Sequence, residues 1–194
     1  MHNQKNACRK QIRASLSSMS EEEHTKSSLV ASEYLLASAL WEKSAILCLF
    51  VSYGTEIETR YLLTKAWEQQ KKVYLPRCFS LESGIMDFFL CSGMDDLAVG
   101  AYGILEPRDS IVAQGALSLA PDMLLVPGLA FTLTGQRMGK GGGYYDRFMA
   151  REMCQTSQRV GFGFSRQIVP SIPIEPWDVP LHFLCTDTGF FPSS

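Results

Sequence analysis

The sequence has no Cys-x-x-Cys pair, although six cysteines are spread along its 194 residues. Because zinc clusters and disulfide frameworks need characteristic cysteine spacings, neither is predicted. Histidine is scarce as well, and the three histidines stand too far apart to predict a metal site. No apolar stretch approaches the roughly 20 residues of a membrane-spanning helix, and the N-terminus lacks the apolar core of a signal peptide. We therefore expect a cytoplasmic protein with no membrane partner.

Charge of one sign is not in excess, since the formal net charge is −2. A basic surface for non-specific binding of nucleic acid is thus excluded, and no stretch interleaves basic with aromatic residues. Hydrophobic residues make up 46% of the chain and charged residues 20%, which is typical of a folded soluble protein. The length predicts one domain over residues 1–194, a monomer or weak homodimer whose partners are small molecules.

Continuous apolar runs alternate with helical patterns along the chain. Helices are predicted over residues 5–18, 20–40, 58–70 and 144–154. Strands are predicted over residues 44–52, 72–76, 85–91, 121–127, 159–164 and 181–186, with a loop-rich stretch at 93–107. This pattern predicts an α/β fold: a single-domain three-layer sandwich with a mainly parallel central sheet and helices on both faces. Ligands in such folds lie at the carboxyl ends of strands, where the candidate loops are 52–58, 76–77, 127–145 and 186–187.

The densest glycine cluster, GKGGG at residues 139–143, lies between Arg137 and the triplet YYD at 144–146. Glycines cost backbone entropy, so a fold keeps them where the chain turns sharply or approaches a ligand closely. Amides freed of side chains form anion-binding concavities, and the cations Arg137 and Lys140 add positive charge. The segment contains neither a Walker loop nor a Gly-x-Gly-x-x-Gly pattern. It predicts a polyphosphate site, with a plain connecting loop as the alternative.

Charged residues near the predicted strand ends and at the N-terminus suggest further contacts. Glu56 lies in the loop after the first strand and is placed to accept hydrogen bonds from an amine-bearing heterocycle. Glu58 opens the next helix, where the helix dipole alone favours a carboxylate, so we interpret it as structural. Lys5 and Arg9 are one helical turn apart, which fits either a solvated basic helix or a contact with nucleotide phosphates.

Two carboxylates and two tyrosines complete the candidate site. Asp146 begins a helix and Asp187 follows the last predicted strand, so each has a simple structural role as an alternative. Together they could hold one Mg²⁺ directly or through water. Of the tandem pair Tyr144 and Tyr145, we expect one to point toward the site, because neighbours on a helix face different directions.

The chain as a whole resembles the 5-formyltetrahydrofolate cyclo-ligases, also called 5,10-methenyltetrahydrofolate synthetases. The most specific match is VPGLAFTLTGQRMGKGGGYYDRF at residues 126–148. Other matches cover nearly the whole chain: Lys5 with Arg9, the turn at 52–59, Pro76-Arg77, the strand at 86–88, GILEP at 103–107, Asp178, and Thr186-Asp187. Two positions depart from or vary within the pattern: Thr132 stands where the family usually has aspartate, and Lys140 lies where relatives vary widely, so no catalytic role is assigned to it.

The resemblance implies an enzyme of folate one-carbon metabolism that uses ATP as co-substrate and Mg²⁺ as cofactor. ATP would phosphorylate the formyl oxygen of 5-formyltetrahydrofolate to give an iminium phosphate. N10 would then attack the activated carbon, and phosphate would leave as 5,10-methenyltetrahydrofolate forms. Such phosphoryl transfer needs charge neutralisation and alignment more than a strong base, which agrees with the glycine-rich loop.

The same resemblance implies roles for individual residues. The nucleotide is expected against Lys5, Arg9, Arg137, Met138, Gly139, Lys140, Gly141, Gly142, Gly143, Tyr144 and Tyr145. The folate is expected near Val51, Glu56, Gly141, Gly142 and Tyr144. The metal ion is expected at Asp146 and Asp187, and the catalytic roles at Arg137 and Tyr145.

Two other classes of function stay open. A sugar-phosphate isomerase or a coenzyme A transferase on a similar scaffold would need a base or a glutamate nucleophile, for which Glu56 is available, and would need no ATP. A non-catalytic nucleotide- or RNA-binding module agrees less well with the acidic net charge. Hydrolysis of ATP that depends on 5-formyltetrahydrofolate separates the three.

Overall fold

The computed structural model describes residues 2–80, 84–100 and 103–193, and the side chains of all of these except 2–6 and 80. The helices are α1 (His2–Ser17), α2 (Glu21–Leu36), α3 (Ala39–Lys43), α4 (Arg60–Glu68), α5 (Asp109–Val112) and α6 (Tyr144–Met149). The strands are β1 (Ile46–Cys48), β2 (Lys72–Ser80), β3 (Ile85–Cys91), β4 (Leu97–Val99), β5 (Leu105–Pro107), β6 (Met123–Pro127), β7 (Ala130–Phe131), β8 (Arg137–Met138), β9 (Gln158–Phe162), β10 (Phe183–Thr186) and β11 (Gly189–Pro192).

A seven-stranded sheet with the order β11-β10-β9-β6-β1-β2-β3 forms the centre of the fold. The inner pairs, from β10 through β2, are parallel, whereas β11 and β3 join the two edges antiparallel. Because consecutive parallel strands need crossover connections, helices lie between them and cover the sheet. The predicted α/β fold with a mainly parallel sheet is confirmed.

Two apolar clusters, one on each face of the sheet, form the core. Met123 and Leu125 of β6 pack into one cluster with residues of α1, α2 and α4, and the alternate residues Leu124 and Val126 pack into the other with Phe148 of α6. Successive residues of a strand point to opposite faces, so a strand buried on both sides is apolar throughout. This explains the continuous apolar run at 123–127 within the predicted strand.

Several element boundaries differ from the prediction for local reasons. The helix predicted over 20–40 is interrupted, because the Ser38 hydroxyl accepts a hydrogen bond from the Trp41 amide at 3.1 Å and starts α3. The strand predicted over 44–52 pairs only at Ile46–Cys48, after which the buried chain leaves the sheet. The pair Pro76-Arg77 is not a loop at a strand end, since β2 runs on to Ser80 in a long hairpin with β3.

The prediction also missed three short pairings. The stretch 93–107 contains the β4–β5 hairpin, the glycine-rich segment contains the β7–β8 hairpin, and β11 follows the strand that was expected to be the last. These strands are two to four residues long. Such lengths are too short for a periodic pattern to stand out in the sequence.

Candidate active site

A cavity of about 940 Å³ opens at the carboxyl ends of β1 and β6. Its walls come from the chain that follows β1, from the start of the segment after β6, from the glycine loop, and from Arg9 of α1. The predicted site residues that line it are Arg9, Val51, Glu56, Arg137, Met138, Gly139, Lys140, Gly141, Gly142, Gly143, Tyr144, Tyr145 and Asp146. The structure therefore brings together residues that are far apart in the sequence. Lys5 lies outside the described side chains.

The β7–β8 hairpin places Arg137 at the cavity. The Thr132 hydroxyl accepts a hydrogen bond from the Gln136 amide at 3.0 Å and pairs with the Thr134 hydroxyl at 2.8 Å. A short polar side chain that bonds to its own turn is the usual way to close such a hairpin. Gly135 has a φ of +81° in this turn. Thr132 therefore organises the turn from a buried position.

Arg137 is buried, with only 4% of its side chain exposed. Nη1 donates to the Pro127 carbonyl at 3.1 Å, and Nη2 forms an ion pair with the Asp146 carboxylate at 2.7 Å. Its Nε is buried and has no hydrogen-bond partner within the described part of the chain. This cation is therefore part of the packed structure, because its guanidinium connects β6 to α6.

The glycine loop at 139–143 has the backbone geometry that its composition suggests. Gly141 and Gly143 adopt φ values of +114° and +66°, which favour glycine. Among the described residues, the backbone N–H groups of 139–143 donate to no protein acceptor. Arg9 reaches the loop from α1, since its Nε donates to the Gly139 carbonyl at 3.3 Å. Free amides and a nearby cation at one wall of a cavity are suited to an anion.

Both tyrosines of the tandem pair line the cavity, so the expectation that one points to it was too narrow. Helix α6 begins at the cavity wall, and neighbouring side chains of its first turn therefore border the same space. Tyr144 lies beside Gly142, with the Arg147 guanidinium 5.9 Å from the centre of its ring. Tyr145 packs edge-to-face against Phe88 at 6.3 Å.

The phenol of Tyr145 stays neutral over a wide pH range. Tyr145 is only half-buried as a residue, but its hydroxyl is enclosed, and this burial raises its pKa well above the usual value. The nearby Glu56 carboxylate raises the pKa further, whereas Arg137, 5.7 Å from the ring centre, lowers it in part. The hydroxyl is therefore suited to donate a hydrogen bond and not to act as a base.

Glu56 connects the loop after β1 to the glycine loop. One oxygen of its carboxylate forms an ion pair with Lys140 Nζ at 2.6 Å, and the other accepts the Tyr53 amide at 3.0 Å. Lys140 also lies 5.9 Å from the centre of the Tyr53 ring and is 51% exposed. Because the Lys140 end of the pair is exposed to water, a ligand can displace this side chain at small cost, whereas the Glu56 carboxylate is largely buried.

Glu58 has the structural role expected for it. Its carboxylate accepts the Ser52 hydroxyl at 2.6 Å and the amides of Thr59 and Arg60 at 2.9 Å each, at the start of α4. Burial alone raises the pKa of this carboxyl, but the hydrogen bonds and the Arg60 charge outweigh it and hold the pKa below its usual value. Glu58 is absent from the cavity lining.

The two carboxylates predicted to hold a metal ion lie in different surroundings. Asp146 lines the cavity, where one oxygen pairs with Arg137 and the other lies 3.4 Å from the Val179 amide. Asp187 does not line the cavity, and Ser165 occupies both of its oxygens, through the amide at 2.6 Å and the hydroxyl at 2.9 Å. Among the described residues, no three His, Cys, Asp or Glu side chains form a group suited to a metal ion. A direct contact of Asp187 with a metal stays a prediction.

Sequence reasoning missed some residues of the cavity wall. One of them is Trp177, which is 68% exposed and lines the cavity. The only signal for it in the sequence was a tryptophan between Pro176 and Asp178. Glu106 and Cys78 were missed because they lie within strands. Burial, with a smaller contribution from Glu106, raises the pKa of the Cys78 thiol to about 11, so this cysteine is not a ready nucleophile.

Comparisons with known proteins show the family to which the chain belongs. Residues 1–187 match the 5-formyltetrahydrofolate cyclo-ligase family. The 5-formyltetrahydrofolate cyclo-ligase of Escherichia coli K12 is 34% identical over 137 residues, which cover 71% of this chain and 75% of the relative. The mouse 5-formyltetrahydrofolate cyclo-ligase is 29% identical over 184 residues, which cover 90% of this chain and 89% of the relative.

Solved structures show the same fold. The 5,10-methenyltetrahydrofolate synthetase of Aquifex aeolicus superposes with a TM-score of 0.83 at 27% identity, over 97% of this chain and 92% of the other. A synthetase of the same name from Mycoplasma pneumoniae superposes with a TM-score of 0.72 at 21% identity, over 94% and 98% of the two chains. None of the described helices has both the length and the apolar character needed to cross a bilayer.

Proposed function

Because this chain belongs to the 5-formyltetrahydrofolate cyclo-ligase family and is therefore a ligase of folate metabolism, we propose that it converts 5-formyltetrahydrofolate and ATP to 5,10-methenyltetrahydrofolate, ADP and phosphate. The observation that carries the proposal is the single cavity shared by the glycine loop and the Glu56 loop. Phosphoryl transfer between two substrates needs both in one site, with the reacting atoms aligned.

The triphosphate lies against the glycine loop. The amides of 139–143, which have no protein acceptor among the described residues, point to phosphate oxygens, and Arg9 and Lys140 supply cations beside them. Lys5, four residues before Arg9 in the sequence, stays a predicted nucleotide contact. This arrangement neutralises charge without a Walker loop, because the glycine amides have no side chains in front of them.

The pterin lies on the Glu56 side of the cavity. Its amine groups donate to the Glu56 carboxylate, and these hydrogen bonds replace the ion pair between Glu56 and Lys140. The apolar side chains of Phe50, Val51 and Met86 line the same cavity and are suited to the flat rings. Gly141, Gly142 and Tyr144 place the formyl group next to the terminal phosphate.

The reaction proceeds in two steps. The formyl oxygen attacks the terminal phosphorus of ATP and ADP leaves, which gives an iminium phosphate; N10 then attacks the activated carbon and phosphate leaves. Arg137, whose buried Nε has no described partner, stabilises the charge that develops on the transferred group. Tyr145 donates a hydrogen bond from its neutral hydroxyl, in agreement with its raised pKa.

The residues present fit a magnesium ion held mainly by phosphate oxygens and water. Mg²⁺ in nucleotide sites usually takes only one or two carboxylates, and Asp146 supplies one at the cavity wall. When bound, the ion neutralises phosphate charge. Asp146 is oriented by its ion pair with Arg137. Asp187, as the second predicted ligand, would act through water, because Ser165 occupies both of its oxygens.

A turnover assay tests the proposal. The purified protein is mixed with ATP, Mg²⁺ and 5-formyltetrahydrofolate, and the absorbance of the methenyl product is followed together with release of ADP. We expect one ADP per product and no ADP without the folate. A sugar-phosphate isomerase or a coenzyme A transferase would show neither signal, and a binding module would bind ATP without turnover. Either result would refute the proposed reaction.

A further inference from the structure

The cavity contains a cation to which the proposed reaction gives no role. Among the described side chains, four cations line the cavity: Arg9, Arg137, Lys140 and Arg147. The first three serve the phosphates and the transferred group, which leaves Arg147. The folate brings a charge of the opposite sign, because its pterin is joined through a p-aminobenzoyl group to a glutamate with two carboxylates. Hydrogen bonds from an arginine to a carboxylate are among the strong ones in proteins.

Helix α6 places Arg147 at the wall between the glycine loop and β3. Arg147 lies three residues after Tyr144, so the two side chains are neighbours on the helix surface, with the guanidinium 5.9 Å from the centre of the tyrosine ring. Its Nη2 donates to the Gly142 carbonyl in the loop. Its Nε donates at 3.0 Å to the carbonyl of Gly84, directly before β3. These two donors fix the plane of the guanidinium.

Two glycines leave room for this guanidinium. Gly84 and Gly143 have φ values of +59° and +66°, which favour glycine. A Cβ at Gly84 would collide with Nη2 of Arg147, and a Cβ at Gly143 would lie 2.9 Å from its Nη1. The guanidinium can therefore lie directly against the backbone, which orders a residue that is otherwise exposed to water. Order that exists before binding lowers the entropy cost of holding a ligand.

The positive charge of Arg147 has no counter-charge in the part of the chain that the structure describes. Both of its acceptors are neutral carbonyls, and its Nη1 donates to no described acceptor. By contrast, Arg137 pairs with Asp146, and Lys140 pairs with Glu56. Arg147 can therefore bind a carboxylate through Nη1 without giving up an ion pair to a described residue.

The position of Arg147 favours the tail of the folate over the triphosphate. Its partner Gly84 lies two residues before Met86, which lines the pterin side of the cavity. Arg9, the cation proposed for the phosphates, reaches the glycine loop at its other end. We propose that Arg147 binds the glutamate carboxylates of the folate and so selects substrates that carry this tail. The inference rests on the proposed function, because it takes the pterin to lie beside Met86.

A substrate without the tail gives the first test. The N-methyl amide of 5-formyltetrahydropteroate, hereafter the tail-free amide, keeps the pterin, the formyl group and the p-aminobenzoyl group and has no carboxylate. We expect wild type to show a KM for the tail-free amide about fivefold above that for 5-formyltetrahydrofolate, the size of effect of a partly exposed charged contact. Equal KM values for the two substrates in wild type would overturn the inference before any variant is made.

The second test compares Arg147→Met with Arg151→Met. Arg147→Met should raise the KM for 5-formyltetrahydrofolate about fivefold and leave kcat, the KM for ATP and the KM for the tail-free amide within twofold of wild type. Arg151 lies one turn further along α6, donates to the Met86 carbonyl at 3.1 Å and pairs with Asp87, but does not line the cavity. Arg151→Met should therefore keep the wild-type ratio of the two folate KM values. Thermal unfolding of both variants measures any loss of stability in parallel.

The third test concerns the charge. Arg147→Lys keeps the charge and loses the planar guanidinium, so its ratio of the two KM values should lie between those of wild type and Arg147→Met. Added salt should raise the KM for 5-formyltetrahydrofolate more than the KM for the tail-free amide in wild type, because salt screens an exposed ion pair. In Arg147→Met the two KM values should respond to salt equally.

The outcomes separate the inference from the proposed function. Wild-type protein without folate-dependent use of ATP refutes the proposed function itself. If wild type is active, an equal rise of the KM for both folate substrates in Arg147→Met overturns the inference, since it shows that Arg147 only holds the loop. A rise of the KM for ATP alone assigns Arg147 to the triphosphate and overturns it as well. An unchanged KM for 5-formyltetrahydrofolate in Arg147→Met has the same consequence.

Discussion

At the scale of single residues, burial decides what Arg137 can do. A cation in a glycine loop is usually exposed, but the β7–β8 hairpin turns this side chain under the loop and pairs it with Asp146. A buried guanidinium whose Nε has no partner among the described residues is already oriented before a ligand arrives. Preorganised charge of this kind accounts for a large share of the acceleration in phosphoryl transfer.

Arg137→Ala should lower kcat/KM for ATP by roughly 10²-fold or more, and it should also lower the free energy of unfolding by about 2 kcal/mol. The second effect arises because the Asp146 carboxylate and the Pro127 carbonyl lose their donor. Steady-state kinetics and thermal unfolding measure the two effects separately. Arg137→Lys keeps the positive charge but loses the planar set of guanidinium donors. We therefore expect this variant to retain most of the wild-type stability and little of the wild-type activity. Near-normal kcat/KM in both variants would contradict the assignment.

Glu56→Gln should raise the KM for the folate about tenfold and leave the KM for ATP within twofold, since its carboxylate faces the pterin side. Lys140→Met is the matched control, because it breaks the same ion pair and leaves the carboxylate intact. That variant should raise only the KM for ATP. If Glu56→Gln changed the KM for ATP alone, the two subsites would be exchanged.

At the scale of elements, the start of α4 shows that the role of a carboxylate at a helix start can be predicted from the sequence. Glu58 accepts two amides of the first turn, and these donors have no partner within the helix. Glu56, two residues earlier, is outside the helix and turns toward the cavity. The order of these two carboxylates in the sequence, first in the loop and then at the helix start, distinguishes the residue proposed to bind the pterin from the structural one.

Glu58→Gln should lower the free energy of unfolding by about 1 kcal/mol at pH 7. Because the folded pKa of Glu58 lies below its ordinary value of 4.5, its contribution is complete above that pH and is lost as the pH falls through the folded pKa. Urea unfolding between pH 7 and pH 3 should show the gap to wild type closing on the acid side. Glu68→Gln, at an exposed pair with Lys65, is the control and should have almost no effect. A gap that is constant with pH would refute the role of the charge.

At the scale of the whole molecule, we predict that stability does not depend on metal binding. The core consists of two apolar clusters on either side of the sheet, and the described residues contain no group of three metal-binding side chains. The cavity lies outside these clusters at the strand ends. A bound Mg²⁺ would therefore contribute to activity and not to the fold.

Removal of Mg²⁺ with a chelator should abolish turnover and leave the Tm of the ligand-free protein unchanged. Asp146→Asn should raise the Mg²⁺ concentration needed for half-maximal turnover, because it removes the carboxylate at the cavity wall. A titration of activity with Mg²⁺ at saturating ATP, with thermal unfolding in parallel, measures both. A large fall in Tm on chelation would make the metal structural, and an unchanged midpoint for Asp146→Asn would remove this residue from the metal site.

Local patterns in the sequence determined the fold class, the place of the glycine loop and the cap at Glu58. Continuous apolar runs, dense glycines and a carboxylate at a helix start each act within a few residues, so composition and spacing are enough to identify them. The tertiary structure alone decided which distant residues meet. Arg9 and Gly139 are 130 residues apart in the sequence, and Ser165 and Asp187 are 22 apart. The burial of Arg137 and the pairing of β11 with β10 also depend on contacts made in the folded chain, so no local periodic pattern in the sequence predicts them.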